Sequence, residues 1–149
     1  MSIRISEKNI NRSEHLVQAC YTFMNENREP VGRVFVRHYC LYKSTDMEYA
    51  ILPEHQNKGY ATEAVKLVLR DLFCNKILDG HTYLNAYGKA SKTMCDAVGL
   101  QISKGNIASL KVAQRNGFKI TEYKTSYAGQ ITSEMFKKPR NTQPELELG

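Results

Sequence analysis

The segment Leu52-Pro53-Glu54-His55-Gln56-Asn57-Lys58-Gly59-Tyr60-Ala61-Thr62-Glu63-Ala64 constrains this chain more than any other. Before it, Met47 to Leu52 is strand-like. After it, Ala64/Val65, Val68/Leu69 and Leu72/Phe73 recur at helical spacing to about Leu78, with Glu63, Lys66, Arg70 and Asp71 on the other face. A strand therefore runs into a tight loop, and the loop becomes the first turn of a helix. Pro53 ends the strand because proline has no N–H to give to a ladder. Gly59 lets the backbone approach a ligand that a Cβ would hold off. The first amides of the helix lack intrahelical partners and sit at the positive end of its dipole, which suits a phosphate or pyrophosphate. Taken alone, a glycine at this strand-to-helix turn is a weak signal, and Gly59 has the alternative reading of a plain turn residue. The loop lacks the paired glycines and Lys-Ser/Thr of a P-loop, and the three glycines of a dinucleotide-binding turn.

A chain of 149 residues fits one domain with a real core. At 42% hydrophobic and 24% charged it reads as soluble and globular. No apolar run approaches the roughly 18 residues of a membrane span, and Met1 to Ser6 does not read as a signal peptide. Cys20, Cys40, Cys74 and Cys95 are scattered without a Cys-x-x-Cys pair, which points to reduced thiols in a cytoplasmic protein and to no zinc site. The net charge of +6 permits nucleic-acid binding, favours a polyanionic cofactor equally, and is also simply a solvated basic surface. No basic run interleaved with aromatics marks a nucleic-acid site.

Along the chain, Ile3 and Ile5 suggest a short first strand, and Asn9 to Glu14 is turn-rich. His15 to Met24 and Val31 to Tyr42 read as an antiparallel hairpin about the turn Asn25 to Pro30. Lys43 to Asp46 turns into the strand before the opening loop. The helix is predicted to end near Asp79-Gly80. His81 to Gly99 is irregular, with a short helix expected around Ala90 to Ala97, and Leu100 to Ser103 is β-like. A second signature follows in Asn106-Ile107-Ala108-Ser109-Leu110-Lys111-Val112-Ala113-Gln114-Arg115-Asn116-Gly117-Phe118. Asn106 is a good N-cap, worth about 1 kcal/mol over alanine. Gly117 suits a left-handed helix end, with Phe118 packing back on the last turn. Phe118 to Tyr123 and Gln130 to Lys137 are expected to be closing strands. The domain is expected over 1–137, with 138–149 a polar tail.

Gln56-x-x-Gly59-x-Ala61 resembles the pyrophosphate loop of the GNAT superfamily of acyl-CoA-dependent N-acyltransferases. The longer string from Pro53 to Ala64 looks most like the branch that includes the ribosomal-protein N-terminal acetyltransferases. Asn-x-x-Ser and Gly-Phe around the second helix are capping features by themselves, but their order after the first signature also resembles this family. The likeness runs from about Val31 to Phe136. It implies an α/β (α+β) single domain whose mixed, mostly antiparallel sheet is splayed at the acetyl-CoA site and flanked by helices.

The resemblance further implies acetyl-CoA as cosubstrate, with no metal. The pantetheine arm would enter between the strand ending at Ile51-Leu52 and that at Leu100 to Ser103. Amides of Asn57, Lys58, Gly59, Tyr60, Ala61 and Thr62 would cradle the pyrophosphate, with Gln56 shaping the loop and Lys58 adding charge. Asn106 looks like the family's pantetheine-contacting asparagine, and Ser109, one turn on, would face the thioester. A neutral amine, either a peptide α-amine or a small-molecule amine, would attack the acetyl carbonyl directly. Many family members carry a tyrosine near the position of Ala113 as thiolate acid; here Ser109 is the nearest hydroxyl, and losing it should lower turnover only modestly. Asp46 and Glu48 share a strand face and are the base candidates, though exposed strand charges explain them as well. His55 reads as a surface residue.

Between the first two strands this chain lacks the helices that usually wall the acceptor pocket. His81 to Gly99, with Tyr83, Tyr87 and Met94, or a homodimer contact is expected to supply that wall. Two rival readings remain at this point: a catalytically weak acyl-CoA-binding module and, from charge alone, a nucleic-acid-binding domain.

Overall fold

The computed structural model describes residues 2–138. An antiparallel meander opens the chain: β1 (Ile3–Arg12), β2 (Leu16–Asn25), β3 (Pro30–Tyr39) and β4 (Ser44–Ile51). A 3-10 turn at Pro53–His55 leads into α1 (Tyr60–Phe73). There follow a small hairpin of β5 (Thr82–Leu84) and β6 (Ala90–Lys92), then β7 (Ala97–Ser103), α2 (Ile107–Arg115), β8 (Lys119–Glu122), β9 (Ser126–Thr132) and α3 (Ser133–Lys137). The main sheet runs β1-β2-β3-β4-β7-β9-β8, antiparallel except where β4 meets β7. The expected mixed, mostly antiparallel sheet flanked by helices is what the chain forms.

Period-two alternation gives the sheet one apolar face. Val17, Ala19, Tyr21 and Phe23 of β2 and Val34 and Val36 of β3 are buried on it. Helix α1 lays Ala64, Val65, Val68, Leu69, Leu72 and Phe73 onto the same face, and α2 adds Leu110, Val112 and Ala113. The two helices touch each other, and Phe73 meets Phe136 of α3 with ring centroids 5.7 Å apart. All three helices therefore lie on one side. The other side, carrying Arg33, Arg37, Asp46 and Glu48, has no helix on it among the described residues.

The ends of α2 form as their sequence predicts. Asn106 Oδ1 accepts from the Ser109 amide at 3.1 Å. At the other end the Phe118 amide bonds the Ala113 carbonyl at 3.0 Å and the Gly117 amide bonds Gln114, with Gly117 at φ +87°. Phe118 is buried, with its side chain beside Gly129 of β9.

Elsewhere tertiary contacts redraw the boundaries. β1 continues through Asn9 to Arg12, because an exposed edge strand tolerates polar side chains. Helix α1 stops at Phe73 rather than Leu78: Lys76 takes φ +54°, and Leu78 reaches the core from the following loop. The short helix expected at Ala90 to Ala97 is instead β6 and the approach to β7. Asn85 Oδ1 binds the amides of Tyr87 and Lys89 and fixes the hairpin turn. The Thr93 hydroxyl bonds the Leu78 carbonyl at 2.6 Å, and the Cys95 amide bonds Asp79 at 3.0 Å, holding the segment extended. The last strand ends at Thr132, whose hydroxyl caps α3 at the Met135 amide, so Ser133 to Lys137 is helical. The predicted polar tail beyond Lys138 lies outside the described residues.

Candidate active site

β4 and β7 are paired at one point, Asp46 opposite Gly99, and then diverge. The far end of β4 is held by β3, where Gly32 is packed so closely that a Cβ would lie 2.3 Å from the Ala50 carbonyl oxygen. The Leu52 amide bonds the Val31 carbonyl at 2.9 Å, anchoring the chain as it leaves the strand. Between the diverging strands lies a gap. Beyond the pairing point β4 ends at half-buried Ile51, followed by exposed Leu52 and the loop into α1.

The loop before α1 is built almost wholly from backbone. Gln56 turns back and donates from Nε2 to the Ile51 carbonyl at 3.0 Å, tying the loop to the strand end. Asn57 and Gly59 take φ of +61° and +80°. Gly59 is the N-cap of α1, and no side chain caps it. The first helical bond comes from the Glu63 amide to the Gly59 carbonyl, leaving the amides of Tyr60, Ala61 and Thr62 at the open, positive end of the helix. Nothing stands within 4 Å of where a Gly59 Cβ would be, so the space above the turn is free. Lys58 is exposed beside it. His55, predicted at the surface, is buried at 7% exposure. Its ring packs toward that of Tyr60, which fills the core under the loop.

The loop is also braced from α2. Asn116, buried at the end of that helix, donates from Nδ2 to the Thr62 carbonyl at 3.1 Å and to the Val112 carbonyl at 3.0 Å. One amide thus couples the first turn of α1 to the last turn of α2. The two signature segments are thus held together, with Asn106 exposed and Ser109 half-buried at the start of α2.

Sequence reasoning missed one member of the site. Tyr49, on the helix-facing side of β4, donates its hydroxyl to Ser109 Oγ at 2.8 Å, from strand to helix across the opening. Burial raises its phenol above the ordinary tyrosine value, and the bond to Ser109 opposes that shift. The available signal was alternation: Tyr49 lies two residues before Ile51 and so shares its face. Ala113 is fully buried and carries no hydroxyl.

On the uncovered face, Asp46 and Glu48 sit side by side and exposed, as alternation predicts. Arg37 donates from Nη1 to Glu48 Oε1 at 3.0 Å. Asp46 is placed differently: its Oδ1 lies 3.6 Å from the position a Gly99 Cβ would take, directly over the point where the strands part. A groove of about 570 Å³ runs here, lined among others by Arg37, Asp46, Glu48, Gln101, Lys119 and Gln130. Of the segment 81–99 only Gly99 lines it. Tyr83 is buried in the core, and Tyr87 and Met94 are exposed, so these three do not line the groove. Among the described residues no group of three or more His, Cys, Asp or Glu could hold a metal. No helix among them is long and apolar enough to cross a membrane.

The chain thus sets an open, amide-rich helix start and a carboxylate-bearing sheet face beside the two strands that part after Asp46 and Gly99. The family model described as acetyltransferase (GNAT) domain matches residues 3–119. No curated protein matches by sequence. Among solved structures, the fold is similar to spermidine N-acetyltransferase from Vibrio cholerae in complex with CoA and spermine (TM-score 0.61, 15% identity, covering 81% of this chain and 69% of that one). It is also similar to mutant forms of the spermidine/spermine N-acetyltransferase of the same organism (TM-score 0.58, 14% identity, 80% and 69% covered). The chain belongs to the GNAT acetyltransferase domain family, and it is an N-acetyltransferase that uses acetyl-CoA.

Proposed function

We propose that the uncovered groove receives the primary amine, that Asp46 is its base, and that the acceptor is the α-amine of a peptide. The observation that carries this reading is the placement of Asp46 over Gly99, where the groove meets the gap. An amine bound there attacks the acetyl carbon from the open face while the cofactor lies on the helix side. The cofactor residues in this reading are Ile51, Leu52, Gln56 to Thr62, Asn106 and Ser109. Backbone amides of the loop take the pyrophosphate, and Gln56 holds the loop in shape. Glu48 is held by Arg37 and serves to fix the groove rather than to take the proton.

The groove is open and of mixed charge, with Asp46 and Glu48 set against Arg37 and Lys119. That suits an extended peptide end better than a polycation. An α-amine, with a pKa of about 8, is already partly neutral near pH 7.5 and asks little of a base. A lysine-type amine near 10.4 asks about 3 to 4 kcal/mol more. This acceptor class is also the one suggested by the resemblance of Pro53 to Ala64 to the ribosomal-protein branch. The two carboxylates favour a second reading, a polyamine acceptor, since the similar Vibrio cholerae structure holds spermine. A cytoplasmic location belongs to the same proposal, supported by four free cysteines.

Thiol release from acetyl-CoA, measured with a panel of peptides, polyamines and amino sugars, tests the acceptor. Peptides are expected to give the highest kcat/KM. Asp46→Asn should lower kcat/KM about 100-fold for lysine-type amines and tenfold or less for α-amines. Full activity of Asp46→Asn on every acceptor would remove Asp46 as the base.

A second copy of the chain is proposed to wall the groove. A thioester open to water loses the electrostatic leverage of a closed site. Exposed Tyr123 lies on the groove rim, where such a contact would form. Sedimentation at assay concentration should show a dimer, and a monomer of full activity would dismiss it.

A further inference from the structure

The hydrogen bond between Tyr49 and Ser109 crosses the gap through which the cofactor arm must pass, and it lies on the helix side of the sheet. The amine approaches from the opposite side. In the reading above the cofactor arm enters from the helix side, so its sulfur lies on the side of the sheet where these two hydroxyls are. We propose that Tyr49 is a positioning residue for the departing thiolate: its phenol holds the Ser109 hydroxyl so that Ser109 donates a hydrogen bond to the CoA sulfur as the C–S bond breaks. This rests on the acetyl-transfer reading above and adds to it a group on β4.

The geometry fits a donor relay. Tyr49 gives its only proton to Ser109 Oγ at 2.8 Å, so the serine's own proton is not spent on the tyrosine and is left for another acceptor. Ser109 is fixed at the start of α2, its amide bonded to Asn106 Oδ1 at 3.1 Å. There the helix dipole also favours negative charge. A hydroxyl that accepts one hydrogen bond becomes a better donor in the next. The half-buried phenol keeps its proton because burial disfavours the phenolate.

The atoms balance without a covalent role for either residue. The neutral amine forms the C–N bond, the C–S bond breaks, and its electron pair goes to sulfur. The amine's surplus proton leaves through Asp46 to water. The thiolate is held by the Ser109 hydrogen bond and is protonated by solvent on release. Complete proton transfer from the phenol would run uphill, since burial holds Tyr49 above the ordinary tyrosine value and a thiol is the stronger acid, so the relay stabilises charge instead of delivering a proton.

The test compares wild type, Tyr49→Phe, Ser109→Ala and the double variant. The thiol of bound CoA is titrated by the ultraviolet absorbance of its thiolate, alongside steady-state kinetics and calorimetry with desulfo-CoA. In wild type the bound thiol should titrate about one pKa unit lower than in either single variant, and kcat should be about tenfold higher. Acceptor KM and desulfo-CoA affinity should stay within about twofold, and the double variant should be no worse than Ser109→Ala, because the two hydroxyls act as one unit. Tyr49→Phe keeps the ring and its packing, and Ser109→Ala is a second route should it misfold. Equal thiol pKa values in wild type and both variants, or an unchanged kcat, overturn the relay. A wild-type protein that binds neither CoA nor desulfo-CoA overturns the cofactor site itself, and the relay with it.

Discussion

Gly59→Glu is expected to cost the protein at least 100-fold in CoA affinity while leaving it folded. The reason is a separation of two effects at one position. Gly59 sits at φ +80°, where a side chain carries strain of about 1–2 kcal/mol, which a domain of ordinary stability survives. No atom lies within 4 Å of the new Cβ, so there is no internal clash to add. The side chain instead enters the free space above the uncapped amides of α1, and a carboxylate there occupies the place of an anion and repels it. Gly59→Asn is the control, since asparagine tolerates this backbone region and brings no charge; its loss should be far smaller. Calorimetry with CoA, beside a thermal melt, reads both effects. Unchanged affinity in folded Gly59→Glu would remove the loop from the cofactor site.

The second large effect lies outside the site. Asp71, expected on the polar face of α1, is buried at 6% exposure. Its carboxylate accepts from the Tyr21 hydroxyl at 2.7 Å, Lys8 Nζ at 3.0 Å and Asn75 Nδ2 at 2.7 Å. Burial by itself would push this carboxyl up, but the hydrogen bonds from Asn75, Tyr21 and Lys8 together outweigh it and hold it below the usual aspartate range. Asp71→Ala leaves the wholly buried Tyr21 hydroxyl without a partner and should cost about 2–4 kcal/mol, or roughly 10 °C in Tm. Adding Tyr21→Phe should recover part of that loss by removing the orphaned donor.

The pH dependence has a definite sign. Because Asp71 titrates lower folded than unfolded, its contribution is present above the unfolded value of about 3.9 and is lost as pH falls through the folded one. The gap between wild type and Asp71→Ala should therefore be widest near neutrality and narrow in acid. Melts at pH 7 and across pH 5 to 2 check this. Equal melting temperatures at pH 7 would show that the network contributes nothing.

Asp71 also illustrates what periodicity misses. Helical spacing separates two faces of α1, but Lys8 of β1 and Tyr21 of β2 reach Asp71 on the polar one. Lys8, 63 residues away in sequence, and Tyr21, 50 away, supply what a buried carboxylate needs. No local pattern contains that information.

The features legible in the sequence were those set by a few adjacent residues. Gly59 reads as a backbone turn because only certain residues take its dihedral angles without strain. Asn106 and Gly117 read as helix ends because their hydrogen bonds close within four residues. Strand alternation correctly put Asp46 and Glu48 on one face. With the order of elements, these carried the resemblance to the GNAT family, and that resemblance implied the fold class and acetyl-CoA.

Other features came only from the tertiary structure: the end of α1, the β5–β6 hairpin, Asp46 over Gly99, and the bond from Tyr49 to Ser109. The last two join groups that are distant in the chain, with Tyr49 and Ser109 separated by 60 residues. Local propensities differ by only about 1 kcal/mol per residue, too little to dictate which remote surfaces meet. Burial of the shared apolar face decides that, and the polar groups of the site lie where the packed strands and helices leave them.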